Sequence, residues 1–186
     1  MKRLFQRSIT LLVLPLIAAC DAHNGLMGPG GSSQAASAAD FPSVGGSYGG
    51  TVVAHARLST GQTYSISCPI DIAVATQSDD DFSGSFTLRD SDDCDTESGT
   101  VTGTVQTDGA VSIIADTPGG GANVFEDAAA RTGCTLVSSS GDFRGALSGD
   151  LLTASGSAVY QCPKFFNVRA DVDVSISAAK IGRAHV

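Results

Sequence analysis

YSISCPIDIAVA, residues 64–75, decides the fold class, because its apolar side chains stand at every second position. Residues 166–176 (FNVRADVDVSI) repeat the same alternation near the other end of the chain. A period of two is that of a β-strand, whose successive side chains point to opposite faces of a sheet. Because one face is apolar and the other polar, both segments are typical of antiparallel sheets with one solvated side.

Shorter alternating runs extend this pattern along the chain, at residues 48–58, 82–88, 101–105, 111–115, 134–138, 143–147 and 152–160. Turn residues such as Asp108-Gly109 and Gly149-Asp150 separate them, as expected for hairpins. Nine strands with short reversals predict an all-β, antiparallel up-and-down meander, with a single helical turn at residues 123–130. We predict a small barrel of 8–9 strands, because closure leaves no unpaired edge; a β-sandwich is the alternative.

Three of these runs carry glycine in the middle of the strand, on the face predicted to be buried. They are FSGSF, VTGTV and FRGAL, centred on Gly84, Gly103 and Gly145. Glycine inside a strand is found where the strand bends sharply or another backbone comes close. The three sites therefore predict barrel corners.

Cys68, Cys94, Cys134 and Cys162 form an even set of cysteines in the predicted β domain. In an exported chain this predicts two disulfides. Three connectivities are possible, and we favour Cys68–Cys94 with Cys134–Cys162, since each closes a loop of similar length around one group of hairpins. A zinc site is disfavoured, because the spacing contains no Cys-x-x-Cys pair.

The first 20 residues indicate the compartment. Lys2, Arg3 and Arg7 precede an apolar run, ITLLVLPLI, that is too short for a lasting transmembrane helix. The run leads into Leu16-Ile-Ala-Ala-Cys20, which resembles the lipobox of bacterial lipoproteins. The resemblance implies cleavage after Ala19 and acylation of Cys20, which would hold the protein to a membrane.

These features predict four segments. Residues 1–19 are a lipoprotein signal peptide, and residues 20–43 are the lipidated Cys20 followed by a flexible linker rich in Gly, Ser and Ala. Residues 44–180 are the β domain. Residues 181–186 (IGRAHV) resemble the translation of a sequencing adapter, and we interpret them as non-native.

Loss of the three basic residues of the signal peptide leaves 8 basic residues against 19 acidic ones, a net charge of −11. Such a chain is not expected to bind nucleic acid, whose phosphates it would repel. We expect a monomer held through its lipid on the inner or outer membrane of a bacterial cell envelope, with the domain outside the cytoplasm. A small apolar ligand or an envelope protein is the expected partner.

The sequence offers little that resembles a catalytic or metal site. His55 is the one histidine of the β domain, and its position in the alternation predicts that it faces solvent. Neither a Gly-x-Ser-x-Gly elbow nor another nucleophile context accompanies it. The calcium candidate is a cluster at the end of one strand, Asp90, Asp92, Asp93 and Asp95, which lacks the glycine and terminal glutamate of an EF-hand. We predict no cofactor.

Two classes of function remain, with an enzyme as a distant third. One is a non-catalytic binding module holding a small apolar ligand inside the barrel, and the other is a structural lipoprotein that contacts envelope components through its exterior. The interior volume discriminates between them. Inward Gly and Ala could leave a cavity, whereas the aromatic side chains Phe82, Phe86, Phe143, Tyr160 and Phe166 could fill it.

Overall fold

The computed structural model describes residues 40–118, 121–165 and 167–182. Nine strands and one α-helix make up this part of the chain, and a 3-10 turn, Pro163–Phe165, precedes the last strand. The strands are β1 (Gly46–Leu58), β2 (Thr63–Ser78), β3 (Asp81–Leu88), β4 (Glu97–Val105), β5 (Ala110–Asp116), β6 (Thr135–Ser139), β7 (Phe143–Ser148), β8 (Leu151–Cys162) and β9 (Val168–Lys180). The helix, α1 (Val124–Thr132), lies between β5 and β6.

The strands form a closed antiparallel barrel, as the alternation predicts. Each strand from β1 to β4 pairs with the next one in sequence, β5 pairs with β7, and β7 pairs with β8, which pairs with β9. The first and last strands then pair over eleven residues, from Tyr48 opposite Lys180 to Leu58 opposite Ala170. This contact closes eight strands into a ring, and the sandwich alternative is not formed.

The ninth strand, β6, lies outside the ring order and shares an edge of β8 with β7. β7 pairs with residues 151–155 of β8, and β6 pairs with residues 158–161 further along. Because β7 reaches only as far as Ile113 on β5, the rest of β5 has no partner on that side among the described residues. Helix α1 lies at this seam, where the ring of Phe125 stacks on that of Phe143 at 5.2 Å between centroids.

Mid-strand glycines allow the tight coiling that closes so small a ring. A Cβ at Gly84 would collide with the carbonyl oxygen of Ala73 on β2, and one at Gly145 with that of Thr153 on β8. At Gly103 it would meet the ring of Phe82 and the backbone of β5. Of the two causes considered from the sequence, a sharp bend or a close approach, the close approach of another backbone occurs at all three glycines.

The two ends of the barrel differ. Turns 79–80, 106–109 and 149–150 lie at one end, which Tyr48 fills with only 1 % of its surface exposed. Its hydroxyl donates to Val44 O at 2.9 Å, and burial together with the charge of Asp150 raises its pKa. The opposite end carries turn 59–62, loop 89–96, α1 and the connection between β8 and β9. We call the first the closed end and the second the mouth.

Some predicted boundaries are wrong. Helix α1 has nine residues and not a single turn, because Asn123 caps its start and Gly133, with φ of 64°, ends it only after Thr132. Strand β6 begins at Thr135, and β9 begins at Val168, after a 3-10 turn. Phe166 lies outside the described residues.

The N-terminal segments predicted from the sequence fall mostly outside the described residues, including the signal peptide, Cys20 and the linker up to residue 39. Of the linker, residues 40–43 are described, and Gln77 Nε2 donates to Pro42 O at 3.0 Å. Across the described ranges no helix is long and apolar enough to cross a membrane.

Gly145→Ala tests the coiling of the wall. The added methyl group cannot fit beside Thr153 without moving β7 from β8, so the free energy of unfolding should fall by about 1 to 3 kcal/mol. Urea denaturation with the disulfides intact measures it. Gly45→Ala is the control, since the nearest atom to a new Cβ there is 3.9 Å away. Equal stability of the two variants would contradict the close approach.

Candidate functional site

A cavity of about 490 Å³ occupies the interior of the barrel. Its lining comes from the inward face of the wall and from α1, and is almost entirely apolar. The described aromatic side chains that could fill it, Phe82, Phe86, Phe143 and Tyr160, are all buried and all line it. The space therefore remains although these rings point inward.

Small side chains contribute to this space. Ala54 and Ala56 on β1, Ala115 on β5 and Ala170 on β9 line the cavity among larger apolar side chains of the same strands. Toward the closed end, Leu152 and Ile176 form part of the lining and are buried. At the mouth, exposed Thr60, Gln62 and Asp95 belong to the lining, so the cavity reaches the surface there.

Both predicted disulfides are formed, and both lie near the mouth. Cys68–Cys94 fixes the β3–β4 loop to β2, and Cys134–Cys162 fixes the start of β6 to the end of β8. All four cysteines contribute to the cavity lining. A cross-link restricts the unfolded chain and here also limits how far the loops of the mouth can separate.

Helix α1 is held in place by polar contacts at its start. Asn123 Oδ1 accepts from the backbone of Phe125 at 3.0 Å, the usual role of an N-cap. Asp127, fully buried, accepts from the hydroxyl of Thr117 and from Gly121 N. Tyr160, whose pKa burial raises, donates its hydroxyl to Phe125 O at 3.2 Å. These bonds fix the helical part of the cavity wall.

Glu97, the first residue of β4, is the one buried acidic side chain among the described lining residues, and 6 % of its surface is exposed. Its Oε1 lies 3.4 Å from Arg131 Nη1 on α1. Burial raises the pKa of Glu97 to about 8, with Asp127 and Asp95 adding to the rise while Arg131 opposes it. Sequence reasoning missed this residue, since a glutamate at the start of a strand looks like a solvated turn residue.

The acidic loop does not assemble the calcium site considered from the sequence. Asp90, Asp92 and Asp95 are exposed and Asp93 is half-buried, around a tight turn in which Ser91 N and Cys94 O bond at 2.9 Å. Among the described residues no three His, Cys, Asp or Glu side chains come close enough to hold a metal ion together.

His55 lies on the outer face of the barrel and is exposed, as its alternation predicts. The strand register sets it directly between Ser65 on β2 and Asp173 on β9, a juxtaposition that the sequence alone does not reveal. Activation of a nucleophile requires hydrogen bonds along such a row. In the part of the chain that the structure describes, no side-chain hydrogen bond joins His55 to either neighbour.

The raised pKa of Glu97 predicts a pH dependence of stability. The folded chain keeps the proton up to about pH 8, whereas a glutamate with the ordinary pKa of 4.5 releases it near that value. Folding is therefore favoured below pH 4.5, and this contribution is lost as the pH rises toward 8. The unfolding free energy of the wild type minus that of Glu97→Gln should therefore decrease across this window. The decrease should be a few kcal/mol in total, on the order of 1.4 kcal/mol per pH unit.

Denaturation of both proteins at several pH values measures this difference. Thr100→Ala, on the outer face of β4, is the control and should follow the wild-type profile. Parallel profiles for wild type and Glu97→Gln would show that Glu97 does not retain its proton.

In a comparison with known proteins, neither a family model nor a curated protein matches the chain. The cavity and its lining residues are therefore what bears on function.

Proposed function

We propose that the β domain is a non-catalytic binding module that holds a small apolar ligand inside its barrel. The observation that carries this proposal is the apolar cavity of about 490 Å³ that opens at the mouth. Sites for small molecules are concave and mostly apolar, with volumes of roughly 300 to 1,000 Å³. Eight-stranded barrels either fill their interior with side chains or hold one small ligand.

The energetic cost of the space supports the same conclusion. Cavities left in protein cores lower stability by about 24 cal/mol per Å³, because the lining atoms lose their packing partners. Replacing Ala54, Ala56 or Ala170 with larger apolar residues would remove much of this cost. The alanines are better explained by an occupant that supplies the missing contacts.

The alternative is a structural lipoprotein acting through its exterior. The interior volume is the feature that separates the two classes, and an open apolar interior favours binding. Large exposed apolar side chains among the described residues are few, and Ile114, Val137 and Leu151 lie on three different strands.

We propose that acylated Cys20 anchors the protein to a bacterial cell membrane, inner or outer, and that the domain binds its ligand there. The support is the lipobox resemblance of residues 16–20 together with two disulfides, which persist in oxidising compartments. Catalysis is not part of the proposal, because among the described residues no side-chain hydrogen bond joins His55 to Ser65 or Asp173, and the row lies on the outer wall. Hydrolysis of an activated ester that is lost on changing His55 would contradict this.

A chain-length series tests the binding site. Straight-chain alcohols from hexanol to dodecanol should displace a neutral fluorescent dye such as 1-aminoanthracene from the purified full-length chain. Each added methylene should tighten binding about fourfold, from about 0.8 kcal/mol per buried CH₂, until the chain fills the cavity. Absence of saturable binding across the series would sink the proposal.

Ala54→Phe provides the matched control within the barrel. The new ring enters the cavity, so dye and alcohols should bind at least about tenfold more weakly, while the fold tolerates the filling of empty space. His55→Phe places the same ring on the outer face of the same strand and should leave binding unchanged. Equal effects of the two variants would place binding outside the barrel.

Cys20→Ser tests the anchor. Without the thiol no lipid can be attached, and one weak membrane contact would not retain the protein. In expressing bacterial cells, the substitution should move the protein from the membrane fraction to the soluble fraction. It should also abolish labelling of the protein with radioactive palmitate. Cys68→Ser with Cys94→Ser is the control for cysteine loss and should stay labelled.

A further inference from the structure

We propose that the ligand is an amphiphile whose polar end carries a positively charged amine. The inference rests on the proposed binding function and concerns the same cavity. Among the described residues, every side chain lining the cavity that is charged in its usual ionised form is acidic, namely Asp93, Asp95 and Glu97. No Lys, Arg or His of the described chain belongs to the lining.

The three carboxyl groups are gathered at the mouth. Asp93 and Asp95 flank Cys94, whose disulfide to Cys68 holds the β3–β4 loop against β2. Glu97 follows two residues later and faces the interior, where it is buried. An amphiphile with its hydrocarbon part in the apolar interior would therefore place its polar end among carboxyl groups.

The cation beside Glu97 is Arg131 on α1. Arg131 approaches Glu97 at 3.4 Å, longer than the 2.7 to 2.9 Å of a strong charge-assisted hydrogen bond, and it is not part of the lining. Burial, to which Asp127 on α1 and Asp95 on the loop add, raises the pKa of Glu97 despite Arg131, so Glu97 holds its proton at pH 7. An ammonium group near Asp95 and Glu97 would favour the ionised form of Glu97 and would be stabilised by both carboxyl groups.

The same lining disfavours the other common polar ends. A carboxylate or phosphate would enter a site with no basic lining residue and would be repelled by the acids. A hydroxyl could bond to Glu97 but would gain no charge attraction. An ammonium group can donate to the Glu97 carboxyl group in the same way and is in addition attracted by the carboxylate of Asp95.

Three ligands of equal chain length test the inference: decylamine, decanol and decanoate. Each competes with 1-aminoanthracene for the purified full-length chain at pH 7. Decylamine should bind about tenfold or more tightly than decanol, because its positive charge is attracted by the acidic residues of the mouth. Decanoate should bind most weakly, because its negative charge is repelled by the same residues. Raising the salt concentration should weaken decylamine binding and leave decanol binding nearly unchanged.

Two variants locate the effect. Glu97→Gln and Asp95→Asn should each reduce the preference for decylamine over decanol by about threefold to tenfold, with decanol affinity retained. Asp95 is exposed, so its variant keeps the test valid if Glu97→Gln fails to fold. Asp92→Asn is the control from the same loop and should keep the full preference, because Asp92 does not line the cavity.

The outcomes separate the two proposals. Decanol binding with no preference for decylamine, or a preference for decanoate, would overturn the amine inference and leave the binding function in place. A preference for decylamine that survives in both Asp95→Asn and Glu97→Gln would also overturn it. Failure of all three ligands to displace the dye would overturn the binding function itself.

Discussion

Pairing of β1 with β9 is the contact on which the remaining structure depends. Eleven residue pairs join the first and last strands, so the backbone groups of both edges are bonded within the wall. This contact is also what makes an interior. An open sheet would expose the inward faces of Ala54, Ile176 and their neighbours, whereas the ring encloses them around a cavity that reaches the surface at the mouth.

A ring of eight strands is near the size at which side chains can just fill the interior, so the choice of residues decides between a solid core and a cavity. Here large and small residues are mixed. Ile70, Ile72 and Phe86 of β2 and β3 are large, while Ala54 on β1 and Ala170 on β9 stand among valines and leave space. The seam at β5 is covered by α1. This helix brings Phe125 to the cavity wall and places Arg131 beside Glu97 of β4.

Much of the fold could be predicted from the alternation of residues 64–75 and 166–176, since a period of two fixes which side chains share a face. The glycine pattern at Gly84, Gly103 and Gly145 indicated the tight coiling, and similar loop lengths indicated the disulfides. The site could not be predicted in the same way. Whether Ala54 and Ala170 face a void depends on how the whole ring packs, and the burial of Glu97 depends on α1, which lies more than twenty residues away in sequence. The length of α1 was underestimated for a related reason, because its end is set by the backbone of Gly133 and not by an apolar period.

Both ends of the β domain leave the barrel on one side. Val44 is bonded to Gln77 near turn 79–80, and Ile181 N donates to Ser47 O at 2.7 Å, so the first and last described segments both run at the closed end. The mouth is therefore at the end of the barrel opposite to both termini of the β domain. Under the proposed binding function, the ligand would enter and leave at the end farthest from the segment that joins the domain to Cys20.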